Sequence, residues 1–125
     1  MSSAVIYTDL DGTLLDHHTY AFDEALDTIK PLKHRGIPII PCTSKTRAET
    51  LILMQAMGID GPMIVENGAA IWVPLGWGLE RPEGSDSDAH AWCHSFGPSR
   101  GMIRRQLAIL NIEWGNRYQS LCELS

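Results

Sequence analysis

The chain has 125 residues, enough for one domain with its own hydrophobic core. A hydrophobic share of 44% and a charged share of 20% are those of an ordinary globular protein, and the net charge of -5 argues against a nucleic-acid partner. Three cysteines without C-x-x-C spacing indicate neither a disulfide framework nor a zinc ribbon, and no apolar run approaches the ~20 residues needed to span a bilayer. We therefore expect a cytoplasmic protein that binds neither membrane nor nucleic acid.

The first predicted element is a buried strand that ends in acidic residues. The apolar residues 4–6 lead into Y-T-D-L-D-G-T-L-L-D, and open α/β sheets bind ligands at such carboxyl ends of strands. Asp9 and Asp11 would share one face of the strand, and Gly12 permits a sharp turn. Paired carboxylates can divide nucleophilic and acid–base roles and can attract a divalent cation. The alternative is that they only cap the backbone of a turn.

A helix is predicted next, over residues 21–35, with Gly36 as its stop. Pro31 lies inside this span and removes one backbone donor. We therefore expect the helix to kink or divide there, with residues 32–35 as a separate turn.

The sequence I-P-I-I-P at residues 37–41 predicts a second buried strand. A right-handed βαβ connection makes two strands parallel, so Thr43 would emerge beside Asp9 at the same sheet edge. A hydroxyl group there, together with N–H groups at a helix start, is suited to binding a phosphate oxygen. The alternative is that Thr43 and Ser44 are only helix caps.

The following helix has clear signals at both ends. Thr46 and Glu49 have the spacing of a capping box, the helical pattern continues over residues 49–57, and Gly58 lies beyond its end. A third apolar strand is predicted over residues 62–66.

The rest of the chain is less regular. A turn at Asn67 and Gly68 leads into a strand over residues 69–73, and the Gly, Pro, Ser and acidic residues of 75–98 predict a long loop or linker. That loop contains four possible metal ligands, Asp86, Asp88, His90 and His94. We do not expect them to bind zinc, because no helix is predicted there and Cys93 has no second cysteine beside it. An amphipathic helix is predicted over residues 99–113 and a last strand over 118–122.

Three motifs resemble one known family. D-x-D-G-T after a strand resembles the first motif of the haloacid dehalogenase-like (HAD) phosphatases. T-S-K-T-R-A-E and I-V-E-N-G-A-A-I look like the mannosyl-3-phosphoglycerate phosphatase branch of that family, which acts on phosphorylated sugar derivatives. The resemblance implies that Asp9 attacks phosphorus and that Asp11 protonates the leaving oxygen and later activates water. It also implies that the Asp9 carboxylate and the Asp11 backbone carbonyl hold Mg2+.

The remaining expected site residues surround these two acids. Those expected to bind phosphate are Thr43, Ser44, Gly12 and Lys45, with Lys45 a partial substitute for a lysine that the family supplies further along the chain. The resemblance gives Glu66, Asn67 and Gly68 a substrate role. Phosphorylated small molecules are the expected ligands.

Full-length members of the family continue through a cap domain and return with a further lysine and a G-D-x-x-x-D motif. The only lysines here are Lys30, Lys33 and Lys45, and no G-D-x-x-x-D is present. The metal would lack its main downstream carboxylate, so we expect weak Mg2+ binding. A reduced sheet would also expose an edge and the apolar stripe of the helix over residues 99–113. We therefore expect a homo-oligomer in which a second copy covers that surface.

The expected fold class is α/β, a HAD-type Rossmann-like parallel sheet between helices, truncated, with a cap-derived helix and strand. Residues 1–82 would form the first half of the core and residues 83–125 a linker and cap-derived segment. The expected function is Mg2+-dependent phosphomonoester hydrolysis of mannosyl-3-phosphoglycerate-like compounds through an aspartyl-phosphate. The alternative is a non-catalytic remnant that serves as a binding or assembly module. The intact D-x-D-G-T favours the first, and the missing G-D-x-x-x-D favours the second.

Overall fold

The computed structural model describes residues 4–114, without the side chains of residues 100 and 112–114. In chain order its elements are β1 (Ile6–Thr8), α1 (Asp23–His34), β2 (Ile39–Pro41), α2 (Arg47–Met57), β3 (Met63–Val65), a 3-10 turn (Glu66–Gly68), β4 (Ala70–Pro74), β5 (Asp86–Ser87), β6 (Ala91–Ser95) and α3 (Arg100–Trp114). The strand predicted over residues 118–122 lies outside the described part of the chain. The α/β fold class is confirmed.

The first three strands run parallel, as the βαβ pattern predicts. β1 pairs with β2 from Ile6 opposite Ile39 to Thr8 opposite Pro41. β2 continues towards β3 through a parallel bridge between Cys42 and Ile64. The carboxyl ends of these strands therefore meet at one edge of the sheet. There the chain leaves β1 into residues 9–16, called the acidic loop below.

The loop predicted over residues 75–98 is wrong for residues 86–95, which form two strands and the turn between them, whereas residues 75–85 lie outside any strand or helix. β4 returns antiparallel to β3, and β6 pairs with the other edge of β4 from Ala70 opposite Ser95 to Pro74 opposite Ala91. β5 adds a short outer strand. Ala91, Trp92 and Cys93 are buried, so β6 is stabilised by removing apolar surface from water and by completing the backbone pairing of β4. The division of the chain after residue 82 stays a prediction.

The separate turn predicted over residues 32–35 is wrong, since α1 continues through Pro31 to His34, and the predicted kink stays a prediction. Proline removes the N–H that would bond the Asp27 carbonyl one turn earlier, but Asp27 is exposed and water can satisfy that oxygen. Ile29 is buried in the core and Leu32 packs against it. Packing on both sides of the proline therefore holds the last turn in the helix.

The ends of α2 follow the sequence signals closely. Thr46 is the N-cap, and its capping box with Glu49 is complete in both directions. At the other end Gly58 has a left-handed backbone with φ of 67°, and its N–H donates to carbonyl groups of the last turn. The cap prediction for this helix is confirmed, and Thr43 and Ser44 are left outside it.

One hydrophobic core unites the sheet with α1 and α2. Its buried members include Leu10 and Leu15 of the acidic loop, Ile29 of α1, and Met54 and Met57 of α2. α3 differs, because many of its apolar side chains are exposed: Met102, Ile103, Ile109 and Leu110. No helix within residues 4–114 is long and apolar enough to cross a membrane.

Candidate active site

The acidic loop is closed by its own buried leucines. Leu15 donates from its N–H to the Leu10 carbonyl at 2.8 Å, and Gly12 donates to the Leu15 carbonyl at 2.9 Å. Both leucine side chains are buried in the core. Gly12 has φ of 73°, which a residue with a side chain rarely adopts, so the sharp turn predicted there is confirmed. The loop therefore holds Asp11 at a fixed place just beyond the end of β1.

The second loop follows β2 and remains bonded to the sheet. Cys42 donates to the Thr8 carbonyl at 2.8 Å, and Thr43 donates to the Ile64 carbonyl at 3.0 Å. The Thr43 side chain is only 4% exposed, and its Oγ1 accepts a hydrogen bond from the Lys45 N–H at 3.1 Å. Thr43 thus orders the loop before α2 while lying at the sheet edge.

The third segment is the turn between β3 and β4. Its residues Glu66, Asn67 and Gly68 have φ of 52°, 56° and 87°, so two residues with side chains adopt the left-handed region in succession. Two backbone bonds hold the turn against the second loop. Glu66 donates to the Lys45 carbonyl and Asn67 donates to the Thr43 carbonyl, both at 3.0 Å. Strained backbone of this kind persists where surrounding bonds hold it, and it is often found at functional sites.

These three segments enclose one cleft of about 540 Å³. Its lining residues are Asp9, Asp11, Cys42, Thr43, Ser44, Ile64, Asn67 and Gly68. The predicted convergence of Asp9, Asp11 and Thr43, with Asn67 on the neighbouring loop, is therefore confirmed. The roles of these residues in binding and catalysis stay predictions.

Three predicted site residues do not line this cleft. Gly12 instead lines a neighbouring cavity of about 600 Å³ between the acidic loop and the start of α1. Glu66 is exposed on its turn. Lys45 contacts the site through its ammonium group, which lies 3.2 Å from the Asp11 carboxylate.

The two aspartates have different surroundings. Asp9 is exposed, and its Oδ1 accepts a hydrogen bond from the adjacent Leu10 N–H at 2.8 Å. Asp11 Oδ1 is buried and lies 3.2 Å from the Lys45 ammonium, yet it makes no hydrogen bond within the described residues. The contact is thus an ion pair whose atoms are close but not aligned as donor and acceptor. Lys45 also lies 5.4 Å from the ring centre of Tyr20.

Sequence reasoning missed Cys42 and Tyr20. Cys42 lines the cleft immediately before Thr43, and burial, followed by the nearby negative charge of Asp9, raises the pKa of its thiol. A raised pKa keeps this sulfur protonated at neutral pH and argues against a nucleophilic role. Its position directly after a predicted strand was a usable signal. Nothing in the sequence signalled the Tyr20 contact, because it joins two separate loops.

The donor set at the cleft fits Mg2+ only with help from water. Mg2+ prefers oxygen ligands, keeps several waters, and is bound in many proteins through one or two carboxylates. The Asp9 carboxylate supplies such an oxygen and the Asp11 backbone carbonyl a second, whereas the Asp11 Oδ1 already faces the Lys45 ammonium at 3.2 Å. No group of three or more His, Cys, Asp or Glu in that range could hold a metal ion.

Two of the loop residues considered for zinc, Asp88 and His94, have other side-chain partners. Asp88 Oδ1 accepts from the N–H groups of His90 and Ala91 at 2.7 and 2.8 Å. His94 Nδ1 lies 3.0 Å from the hydroxyl group of Ser85. These contacts order the turn and the hairpin, as expected for a structural role.

Comparison with known sequences places the chain in a family. Residues 6–78, more than half of the chain, match the family model described as haloacid dehalogenase-like hydrolase. A glucosyl-3-phosphoglycerate/mannosyl-3-phosphoglycerate phosphatase of Persephonella marina is 48% identical over 73 residues, which is 58% of this chain and 27% of that protein. A phosphatase of the same name from Methanococcoides burtonii is 50% identical over 70 residues, 56% of this chain and 26% of that protein. The matched part thus spans about a quarter of these curated relatives.

Solved structures agree in fold. A haloacid dehalogenase-like hydrolase from B. subtilis aligns with a TM-score of 0.56 at 24% identity, over 87% of this chain and 33% of that one. A hypothetical protein from Geobacillus kaustophilus aligns with a TM-score of 0.62 at 20% identity, over 90% of this chain and 37% of that one. Identities this low support the fold alone, but the sequence match extends over the acidic loop, the second loop and the β3–β4 turn. The chain therefore belongs to the haloacid dehalogenase-like hydrolase family.

Proposed function

We propose that the chain carries the catalytic aspartates of a Mg2+-dependent phosphomonoester hydrolase that works through an aspartyl-phosphate. The observation that supports this most strongly is the convergence of Asp9, Asp11, Thr43 and Asn67 on one cleft at the carboxyl ends of parallel strands. A nucleophilic carboxylate needs an accessible oxygen and a fixed orientation. Asp9 meets both needs, because it is exposed and its Oδ1 is oriented by the Leu10 N–H.

In the first step an oxygen of Asp9 forms a bond to phosphorus, and the bond between phosphorus and the ester oxygen breaks. Asp11 gives its proton to that leaving oxygen, which departs as an alcohol. In the second step Asp11 takes a proton from water, and the resulting hydroxide attacks phosphorus. The bond between Asp9 and phosphorus breaks, so inorganic phosphate leaves and both carboxyl groups return to their starting states.

The other polar groups of the cleft would bind the phosphoryl group. Thr43 and Ser44 supply hydroxyl groups at the sheet edge, and Lys45 brings a positive charge to within 3.2 Å of Asp11. That ammonium has no aligned hydrogen bond to Asp11, so it can turn towards a phosphoryl oxygen. A cation held at this place favours the negative charge that spreads over the phosphoryl oxygens in the transition state.

The Asp9 carboxylate and the Asp11 backbone carbonyl are the groups that would hold Mg2+. The ion would supply charge neutralisation at the phosphoryl oxygens. Because the described residues offer only two acids at the cleft, we expect weak affinity for the ion.

A phosphorylated sugar derivative is the proposed substrate class. The two curated relatives are named for glucosyl-3-phosphoglycerate and mannosyl-3-phosphoglycerate. The family match over residues 6–78 includes the Glu66–Gly68 turn. That turn presents Asn67 and Gly68 to the cleft, where an amide side chain could contact sugar hydroxyl groups.

The test is hydrolysis of p-nitrophenyl phosphate and of mannosyl-3-phosphoglycerate by the purified chain, with and without Mg2+. Asp9→Asn keeps the shape of the side chain and removes the nucleophile, so we expect it to abolish turnover. Asp11→Asn should lower the rate on the order of a hundredfold or more. Asp27→Asn on the exposed face of α1 is the matched control and should keep full activity.

Equal Mg2+-dependent turnover by wild type and Asp9→Asn would contradict the proposal. A folded wild-type chain that hydrolyses neither ester would instead favour the alternative function, a non-catalytic binding or assembly module.

A further inference from the structure

Arg47 lies beside the second loop of the site but its side chain is directed elsewhere. It is the first residue of α2, two positions after Lys45, and arginine side chains are good phosphate ligands. In the structure its guanidinium lies 3.9 Å from the ring centre of Trp72 in β4. It also pairs with Asp88 at 3.1 Å, and it is absent from the lining of the catalytic cleft.

Backbone hydrogen bonds hold the Asp88 carboxylate in the orientation that faces Arg47. Its Oδ1 accepts the N–H groups of His90 and Ala91, while Oδ2 faces the Arg47 guanidinium. The N–H groups of His90 and then Ala91 are the main causes that lower the pKa of the Asp88 carboxyl, with a smaller contribution from Arg47. Asp88 is therefore a charged group held in place by its own turn, and Arg47 reaches across to it from α2.

Trp72 provides the second attachment. It packs against the hydrophobic core, and the guanidinium lies over its ring, 3.9 Å from the ring centre. Stacking and pairing use different features of arginine, its flat face and its N–H edge, so lysine cannot replace it in both contacts. Three segments that are distant in sequence, namely α2, β4 and the β5–β6 turn, thus meet at one side chain.

Backbone hydrogen bonds attach the second loop, residues 42–46, to β3 and to the β3–β4 turn. The Thr43 N–H donates to Ile64, and the Glu66 and Asn67 N–H groups donate to the Lys45 and Thr43 carbonyls. These bonds join the second loop to the β3–β4 turn, while the Arg47 contacts join the start of α2 to the following hairpin. The second loop is therefore attached to the antiparallel sheet at both ends, by backbone bonds on one side and by Arg47 on the other.

We propose that Arg47 is a positioning residue, not a phosphate ligand. By binding Trp72 and Asp88 it holds the start of α2 against β4 and the β5–β6 hairpin, and so keeps Thr43 and Lys45 in place at the cleft. The part of this inference that concerns phosphate rests on the proposed function, whereas the part that concerns loop order does not.

The first test uses Asp88→Asn, which keeps an oxygen to accept the His90 and Ala91 N–H groups and removes the charge that faces Arg47. Asp86→Asn is the matched control, because Asp86 is an exposed acid in the same hairpin with no ion pair to Arg47. Amide hydrogen exchange of Thr43, Glu66 and Asn67 is measured by NMR. We expect Asp88→Asn to lower their protection about two- to fivefold relative to the β1 amides, the range for an exposed ion pair.

Asp86→Asn should leave that ratio unchanged. Equal protection in the two variants would overturn the proposal. A uniform loss over the whole sheet in Asp88→Asn would do so as well, because it would reveal general destabilisation without local positioning.

The second test measures binding of inorganic phosphate to wild type, Asp88→Asn and Arg47→Lys by NMR titration. A positioning role predicts that Asp88→Asn weakens binding about two- to fivefold, although Asp88 is outside the cleft, and that Arg47→Lys weakens it similarly. A direct ligand role predicts unchanged or tighter binding by Asp88→Asn, because the arginine is released, and that result would overturn the proposal. Absence of phosphate binding by the wild type would count against the proposed function, and the exchange experiment would still decide the role of Arg47.

Discussion

Asp9 and Asp11 differ in surroundings although they are two residues apart. Asp9 is exposed at the cleft with one oxygen oriented by a backbone N–H, whereas a buried oxygen of Asp11 faces the ammonium of Lys45. An accessible, oriented carboxylate suits attack on phosphorus. The Asp11 side chain is 37% exposed overall, so its other oxygen stays accessible while Oδ1 faces the lysine. The accessible, oriented oxygen of Asp9 supports the proposed nucleophile, and the proton-transfer role of Asp11 stays a prediction that Asp11→Asn tests.

Gly61 is a residue whose replacement the structure shows to be costly. Its φ is 125°, and a Cβ added there would lie 2.7 Å from the Trp77 ring. We expect Gly61→Ala to lower the free energy of unfolding by about 1–3 kcal/mol, because this backbone region is strained for a residue with a side chain. Chemical denaturation monitored by circular dichroism measures the change.

Gly97→Ala serves as the control for that substitution. Gly97 has no neighbour within 4 Å of an added Cβ and no left-handed φ, so the change should be close to neutral. A Gly61→Ala protein as stable as Gly97→Ala would show that Trp77 moves aside and that the backbone strain is negligible.

At the scale of elements, the start of α2 connects the site to the core. Thr46 caps the helix and bonds with Glu49, while Thr50 in the next turn is buried. The cap therefore determines where the loop that carries Thr43 and Lys45 ends and where the helix begins.

Thr46→Ala should lower the free energy of unfolding by about 1 kcal/mol at neutral pH, because one backbone N–H at the helix start loses its acceptor. Thr46→Ser keeps the hydroxyl group and should retain most of the stability. Urea denaturation at a series of pH values measures both variants. A loss as large in Thr46→Ser as in Thr46→Ala would show that the methyl group, not the cap, stabilises the helix.

The effect of Thr46→Ala should depend on pH. The Thr46 backbone N–H, and next the Thr46 hydroxyl group, lower the pKa of Glu49 below its ordinary value of 4.5. A lowered folded-state pKa adds stability that is present above the ordinary value and is lost as the pH falls through the lowered one. The hydroxyl contributes part of that stability in the wild type only, so the gap between wild type and Thr46→Ala should narrow in acid.

At the scale of the whole molecule, α3 stands out because four of its apolar side chains are exposed, whereas α1 and α2 both contribute buried side chains to the core. Exposed apolar surface of this kind marks contact with another surface. We propose that a second copy of the chain covers it.

Leu107→Glu should dissociate or unfold such an assembly, because an unpaired charge in a buried contact costs several kcal/mol. Gln106→Glu adds the same charge at an exposed neighbouring position and should leave the assembly intact. Analytical ultracentrifugation reports the mass of each protein. A wild-type monomer would contradict the proposal.

The sequence by itself determined the features that depend on neighbouring residues or on chain chirality. The capping box of Thr46 and Glu49, the Gly58 stop and the turn at Gly12 each follow from bonds within a few residues. The meeting of Asp9 and Thr43 follows from the right-handed βαβ connection, which leaves one place for the second strand. These are the parts of the fold and the site that were predicted correctly.

Only the tertiary structure decided the features that join distant segments. β6 is a strand because β4 offers it an edge, and α1 passes through Pro31 because packing holds both sides of the proline. The ion pair of Lys45 with Asp11 and the contacts of Arg47 with Trp72 and Asp88 likewise arise between separate elements. Local patterns in the sequence do not predict such contacts, because their free energy comes from surfaces that meet only after the chain has folded.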